Sequence, residues 1–87
     1  MYIHLGAKKS IRKKDIIAIV NLEATMVSRN TLDFLHMAEE EGFIEVVSRD
    51  IPKAAVITEG HDGQSKVYLT NVATATIRKR FQKGRYA

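Results

Sequence analysis

The side chains that could do chemistry in this 87-residue chain are mainly basic ones. The chain has 14 Lys and Arg residues against 10 Asp and Glu residues, and it has no cysteine. Thiolate nucleophiles, disulfides and thiolate metal ligands are therefore excluded. None of the serines has a histidine nearby in the sequence, which leaves only a pairing in the folded chain open. We therefore expect that the protein is not an enzyme.

Histidines are the remaining candidates for a metal site. They are His4, His36 and His61, and Glu40 lies one helical turn after His36. Because the three fall on a predicted strand, a predicted helix and a predicted loop, they would have to be gathered by the fold. Surface histidines without a metal are the commoner case. We expect no metal site.

Positive charge is concentrated in the last quarter of the chain. Residues 63–87 carry six basic residues and no acidic one, whereas residues 1–62 have a net charge of −2. A chain with a basic C-terminal end favours an anionic partner, and the candidate classes are nucleic acids, membrane surfaces and acidic proteins. A solvated basic tail is the alternative. Arg78, Lys79 and Arg80 are consecutive, so on a helix they point in different directions, with Arg80 beside the packing face and Arg78 outward.

Two further pairs of basic residues lie at predicted turns. Lys8 and Lys9 follow Gly6 in a stretch that resembles a phosphate-binding loop but lacks its second glycine, so no nucleotide hydrolysis is indicated. Both lysines remain candidate phosphate contacts, with a solvated turn as the alternative. Arg49 and Lys53 bracket a loop before an apolar stretch, where ordinary loop charges are the alternative.

The elements that must position these cations are organised around the run 15–20, which has five consecutive apolar residues. This run predicts a central strand buried on both faces, so a charge at Ile17 would be expected to unfold the domain. Alternating or apolar stretches predict five more strands, at Met1–Leu5, Ser10–Lys13, Phe43–Val47, Lys53–Glu59 and Ser65–Thr70.

Two helices complete the predicted fold. The first is expected to be capped by Asn30 and to end at Gly42. The second is expected to run from Asn71 to Gln82, with Thr70 or Asn71 as its cap and its packing face formed by Ala73, Ile77 and Phe81. Residues 21–27 are interpreted as a connection and residues 84–87 as a frayed end. The prediction is a single α+β domain over residues 1–87, with a small, mainly antiparallel sheet, one mid-chain helix and one C-terminal helix.

The length and the apolar pattern also bear on assembly and location. A chain of this size without disulfides buries little surface alone, which favours a homo-oligomer. No apolar run approaches the roughly 20 residues needed to span a bilayer, and no targeting signal is visible. We expect a cytoplasmic protein that does not bind membranes.

The chain resembles the RemA/RemB family of bacterial extracellular-matrix regulators. The order and spacing of several segments carry this resemblance, and the opening residues are similar to the start of the RemB branch. The segments are Met1 to Gly6, Asp15 to Val20, Glu40 to Ile44, Lys53 to Thr58, and Val67 to Thr70 with Thr76 to Arg80.

The resemblance implies a DNA-binding transcriptional regulator of extracellular-matrix and biofilm genes that acts as a ring-like homo-oligomer, without a cofactor or a small-molecule substrate. In the RemA branch, adjacent arginines in the loop before the long strand contact DNA, whereas here Arg49 and Lys53 are separated by Asp50, Ile51 and Pro52. We therefore expect phosphate contacts to double-stranded DNA. The candidate contacts are Lys8, Lys9, Arg49, Lys53, Arg78 and Arg80. The alternative is a protein–protein interaction module that modulates another regulator through its basic C-terminal helix.

Overall fold

The computed structural model describes residues 1–23 and 28–83 and has an α+β fold. Its strands are β1 (Tyr2–His4), β2 (Ser10–Arg12), β3 (Ile16–Asn21), β4 (Ile44–Val46), β5 (Ala54–Glu59) and β6 (Ser65–Thr70). Its helices are α1 (Arg29–Glu40) and α2 (Thr74–Lys83), and a 3₁₀ turn covers Lys13–Asp15. Most of the predicted connection at 21–27 and the predicted frayed end at 84–87 lie outside the described residues. Within the described ranges, no helix combines the length and apolar character that crossing a membrane requires.

The strands form two sheets instead of the single sheet that we predicted. β1 and β2 pair as an antiparallel hairpin, while the other four strands form a sheet in the order β3-β5-β6-β4. In this sheet β5 is antiparallel to both β3 and β6, and β4 runs parallel to β6. The predicted α+β class, the mainly antiparallel pairing and the positions of the two helices are thus confirmed.

The four-stranded sheet is covered on both faces, as the alternating side chains of β5 show. Successive side chains of a strand point to opposite faces, so Ala54 and Val56 pack on one side and Ala55 on the other. The first side is covered by the β1–β2 hairpin and α2, and the second by α1. The buried partners on the first side are Ile3, Leu5, Ile11 and Ile77, and those on the second are Ala38 and Val67. The core is therefore divided into two apolar clusters by the sheet.

The run that was predicted to be the central strand lies instead at the edge of the sheet. β3 pairs with β5, and the pairing shifts by one residue between Ile16 and Ala18, which is a β-bulge with Ile17 as the extra residue. The bulge turns Ile17 outward, where its side chain is 60% exposed. It also brings Ile16 and Ile19 onto the same face, where both pack against the same cluster. The predicted burial of this run on both faces is wrong for the single chain.

Both helices begin at residues other than those predicted, whereas the predicted C-terminus of α1 is confirmed. Ser28 rather than Asn30 caps α1, because its Oγ accepts a hydrogen bond of 3.1 Å from the Thr31 backbone N–H. The predicted end is confirmed, since Gly42 has a φ of +77° and the Phe43 N–H donates to the Ala38 carbonyl at 2.8 Å. α2 begins at Thr74, later than predicted.

Candidate nucleic-acid interface

The segment 70–72, which leads from the last residue of β6 toward α2, is the common support of two basic surface elements. The Thr70 hydroxyl is buried, donates to the Leu5 carbonyl at 2.6 Å and accepts from the Val72 N–H at 3.1 Å. The Thr70 carbonyl accepts a hydrogen bond of 2.8 Å from the Lys53 N–H. The end of β1 and the start of β5 are thus fixed to the same residue, which places the β1–β2 turn and the loop before β5 on a shared base.

The β1–β2 turn holds Lys8 in a strained conformation at the surface. Gly6 has a φ of +91°, and the next two residues, Ala7 and Lys8, also have positive φ values of +46° and +65°. Such values are uncommon for residues with a Cβ and cost free energy. The turn is closed by a hydrogen bond of 2.8 Å from the Lys9 N–H to the Gly6 carbonyl. The Lys8 side chain is exposed in this turn.

The loop 47–53 carries the second group of cations. The Val47 N–H donates to the Leu69 carbonyl at 2.8 Å, and the Lys53 N–H bond described above fixes the other end. Between them, the Asp50 carboxylate accepts a hydrogen bond of 3.0 Å from the Asn71 side-chain amide. Within residues 1–23 and 28–83, neither Arg49 nor Lys53 forms an ion pair, and both are exposed. The acid that separates the two cations in the sequence is therefore directed to Asn71.

Lys9 is placed differently from its neighbour. Its Nζ lies 3.0 Å from Glu45 Oε2 and 5.1 Å from the centroid of the Tyr68 ring, and Lys66 contacts the other Glu45 oxygen at 3.3 Å. The hydrogen bond with Glu45 raises the pKa of Lys9 and lowers the pKa of the Glu45 carboxyl. Lys9 therefore already has an anionic partner within the chain, and a phosphate would compete with Glu45 for it.

The two arginines of α2 lie on opposite flanks of the helix. Ile77 is buried between them. Arg80 is half-buried, and its Nη1 donates to the His4 carbonyl at 2.7 Å, one residue before the turn-supporting Leu5. Arg78 is exposed and lines a small cavity beside Ile17 on the β3 side.

The structure thus brings together some of the predicted site residues and separates others. Lys8, Arg49 and Lys53 lie on elements that share the 70–72 support, and Arg80 is hydrogen-bonded to the His4 carbonyl at the end of β1. Lys9 is engaged by Glu45, and Arg78 faces the other flank of α2. Sequence reasoning missed the supporting roles of Thr70 and Asn71, and the signal that was available was a pair of hydrogen-bonding residues at the end of a strand.

The family of the chain is established by comparison. A family model described as RemA-like, extracellular matrix regulatory protein A-like, matches residues 2–81. The chain belongs to this family. The match extends from β1 into α2 and includes the turn, the loop and their support. The general role that follows is regulation of the extracellular matrix. No curated protein was found to match the chain.

Proposed function

We propose that this chain is a DNA-binding transcriptional regulator of extracellular-matrix and biofilm genes, which contacts the phosphates of double-stranded DNA as a ring-like homo-oligomer. The family supplies the regulatory role. The arrangement of the cations supports the mode of binding, and the two sheet edges support the assembly.

The single observation that carries the proposal is the shared support at 70–72. Lys8, Arg49 and Lys53 are exposed cations on two backbone elements that are fixed to Thr70 by hydrogen bonds of 2.6 and 2.8 Å. Cations on a rigid base lose less conformational freedom when they bind, and Arg and Lys are the usual donors to phosphates. Arg80 extends this surface, while Lys9 would contribute after release from Glu45.

The strain in the β1–β2 turn supports the same surface. A residue held in a sparsely populated backbone conformation persists only where the surrounding structure fixes it, and such residues concentrate at functional sites. Lys8 has a φ of +65°, and glycine would adopt that value without cost. The lysine kept at this position supports a functional role for its exposed side chain.

The sheet edges support a ring. β3 and β4 form the two edges of the four-stranded sheet, and each exposes an apolar residue, Ile17 at 60% and Val46 at 61%. Contact of the β3 edge of one copy with the β4 edge of the next would be heterologous, and a heterologous interface produces a closed ring when its rotation closes. Such a ring would repeat the basic surface, so that weak phosphate contacts add along a bent duplex.

We place the chain in the RemB-like branch of the family. The opening Met1 to Gly6 supports this, as does the loop in which Arg49 and Lys53 are separated rather than adjacent. In this chain, Arg49 and Lys53 would therefore contact phosphates separately, where the RemA branch uses two adjacent arginines.

The decisive experiment removes the two loop cations. In Arg49→Ala with Lys53→Ala, we expect weaker binding to all duplex sequences, because phosphate contacts carry no base information. The slope of log affinity against log salt should become shallower by about 1.8 for each subunit that contacts the duplex, which is about 0.9 per lost contact. Fluorescence anisotropy with promoter and scrambled duplexes over a salt series measures both quantities.

A matched control removes the same charge from another surface. Lys79→Ala with Lys83→Ala takes two exposed cations from α2, and this variant should keep most of the affinity. Affinity should also rise with duplex length until neighbouring subunits are reached. An unchanged affinity in the loop variant would refute the proposed surface, and a complete lack of DNA binding at low salt would favour the protein-partner function of the C-terminal helix.

A second pair of variants separates charge from strain in the turn. Lys8→Gly relieves the positive φ and removes the charge, so we expect the free energy of unfolding to rise by about 1 kcal/mol while duplex affinity falls. Ala7→Gly relieves the neighbouring positive φ without a change in charge, and it should raise stability alone. Urea unfolding and anisotropy measure the two effects. Equal affinity in both variants would show that Lys8 does not contact DNA.

A further inference from the structure

A second surface, away from the 70–72 support, contains a cavity of about 670 Å³. It lies between β1, the 3₁₀ turn and the end of α2, and this volume falls in the range of small-molecule sites. Its apolar lining comes from Met1, Tyr2, Ile16 and Phe81. Ile16 and Phe81 are half-buried and pack on the core, whereas Tyr2 is 65% exposed. The cavity therefore has a fixed apolar floor and a side wall that is free to adjust.

The remaining wall of this cavity is cationic. Arg12, Lys13 and Lys14 all line it, and among the described residues no carboxylate does. Arg12 ends β2 and the two lysines begin the 3₁₀ turn, which is fixed to the chain start by a hydrogen bond of 2.9 Å from the Lys13 N–H to the Met1 carbonyl. The Lys13 Nζ lies 4.6 Å from the centroid of the Phe81 ring, where a cation is attracted to the aromatic face. The Asp15 side chain, next in sequence, lines a different cavity.

We propose that this cavity binds a soluble organic anion with an apolar body, of the acyl or aryl carboxylate class. The apolar floor would bury the body of the ligand, and the three cations would surround its charged group. Charge complementarity selects this occupant. A second copy that met this surface through the same patch would place like charges together, which is unfavourable. The ring contact proposed above involves Ile17 and Val46 instead, and neither residue lines this cavity. The phosphates of a duplex would contact the rim alone and leave the apolar floor uncovered.

The site is tested with decanoate, below the concentration at which it forms micelles, by calorimetric titration of the full chain. We expect saturable binding of one decanoate per chain. Decan-1-ol and decyltrimethylammonium, which have the same apolar body without a negative charge, should bind much more weakly. In Lys13→Gln with Lys14→Gln, decanoate affinity should fall about tenfold, a change that two partly screened charges can supply. Lys79→Gln with Lys83→Gln removes equal charge from α2 and should leave decanoate affinity unchanged.

A second variant keeps the test independent of the lysines. Tyr2→Ser trims the exposed wall, so it should weaken decanoate binding severalfold without loss of the folded state, which far-ultraviolet circular dichroism and urea unfolding monitor. Several results would overturn the proposal: no saturable binding, equal binding of decanoate and decan-1-ol, or equal losses in the two lysine variants. If decanoate does not bind, the Lys13/Lys14 variant identifies the occupant instead. A changed mass of the assembly would assign the cavity to a second copy. Loss of duplex binding would assign it to DNA, and loss of binding to phosphatidylglycerol vesicles would assign it to a membrane.

Discussion

Thr70→Val tests the support on which the proposed interface depends. The substitution keeps the shape of the side chain but removes the hydroxyl, which forms bonds of 2.6 and 3.1 Å in a fully buried position. A typical hydrogen bond contributes about 1 kcal/mol net, and partners left buried without a replacement add to the loss. We expect the free energy of unfolding to fall by about 2 kcal/mol. In a domain of this size, that lowers the melting temperature by roughly 10 °C.

Urea unfolding and thermal melts measure this change, and the chain offers a matched control. Thr74 is also buried, at 7% exposure, but its Oγ1 has no hydrogen-bond partner among the described residues. Thr74→Val should therefore leave stability unchanged or raise it by up to about 1 kcal/mol. Thr58 forms one longer bond of 3.3 Å to the Lys66 carbonyl, so Thr58→Val should lie between the two. Equal losses for Thr70→Val and Thr74→Val would refute the reasoning, because burial alone would then explain them.

Two further predictions follow from the sheet edge and from the Lys9–Glu45 pair. Ile17→Asp should keep the fold, because the side chain is 60% exposed at a bulge. It should also reduce the mass of the assembly, which light scattering measures. An unfolded variant or an unchanged mass would contradict this. Glu45 has a lowered pKa, so its stabilising effect is present above the ordinary value of 4.5 and is lost as the pH falls below it. The stability advantage of the wild type over Glu45→Gln, measured by urea unfolding, should therefore shrink in acid, and a constant advantage would show that the pair does not contribute.

Patterns that depend on neighbouring residues predicted the fold well. The period-two alternation of β1 and β6 and the four-residue spacing of Ile77 and Phe81 were sufficient to place strands, a helix and its buried face. Gly42 marked the end of α1 for a local reason, since its φ of +77° suits glycine.

The errors came from relations between distant parts of the chain. An apolar run indicates that both faces of a strand are to be buried, but it does not identify the elements that bury them. The bulge at Ile17 depends on the register with β5, which no local pattern contains. For the same reason, the charges of Lys9 and Arg49 looked alike in sequence, while the fold gives Lys9 a carboxylate at 3.0 Å.

The strand order also constrains how the chain assembles during synthesis. β3 and β4 occupy the outer positions of the four-stranded sheet, while β5 and β6, which follow them in the chain, occupy the inner ones. Because residues leave the ribosome from the N-terminus, both outer strands emerge before the pair that must separate them. The β5–β6 hairpin can form locally, but the sheet cannot be completed until Thr70 has emerged. In that interval the apolar run of β3 has no strand to pair with, and unpaired apolar strands are the kind of surface that favours aggregation before folding is complete.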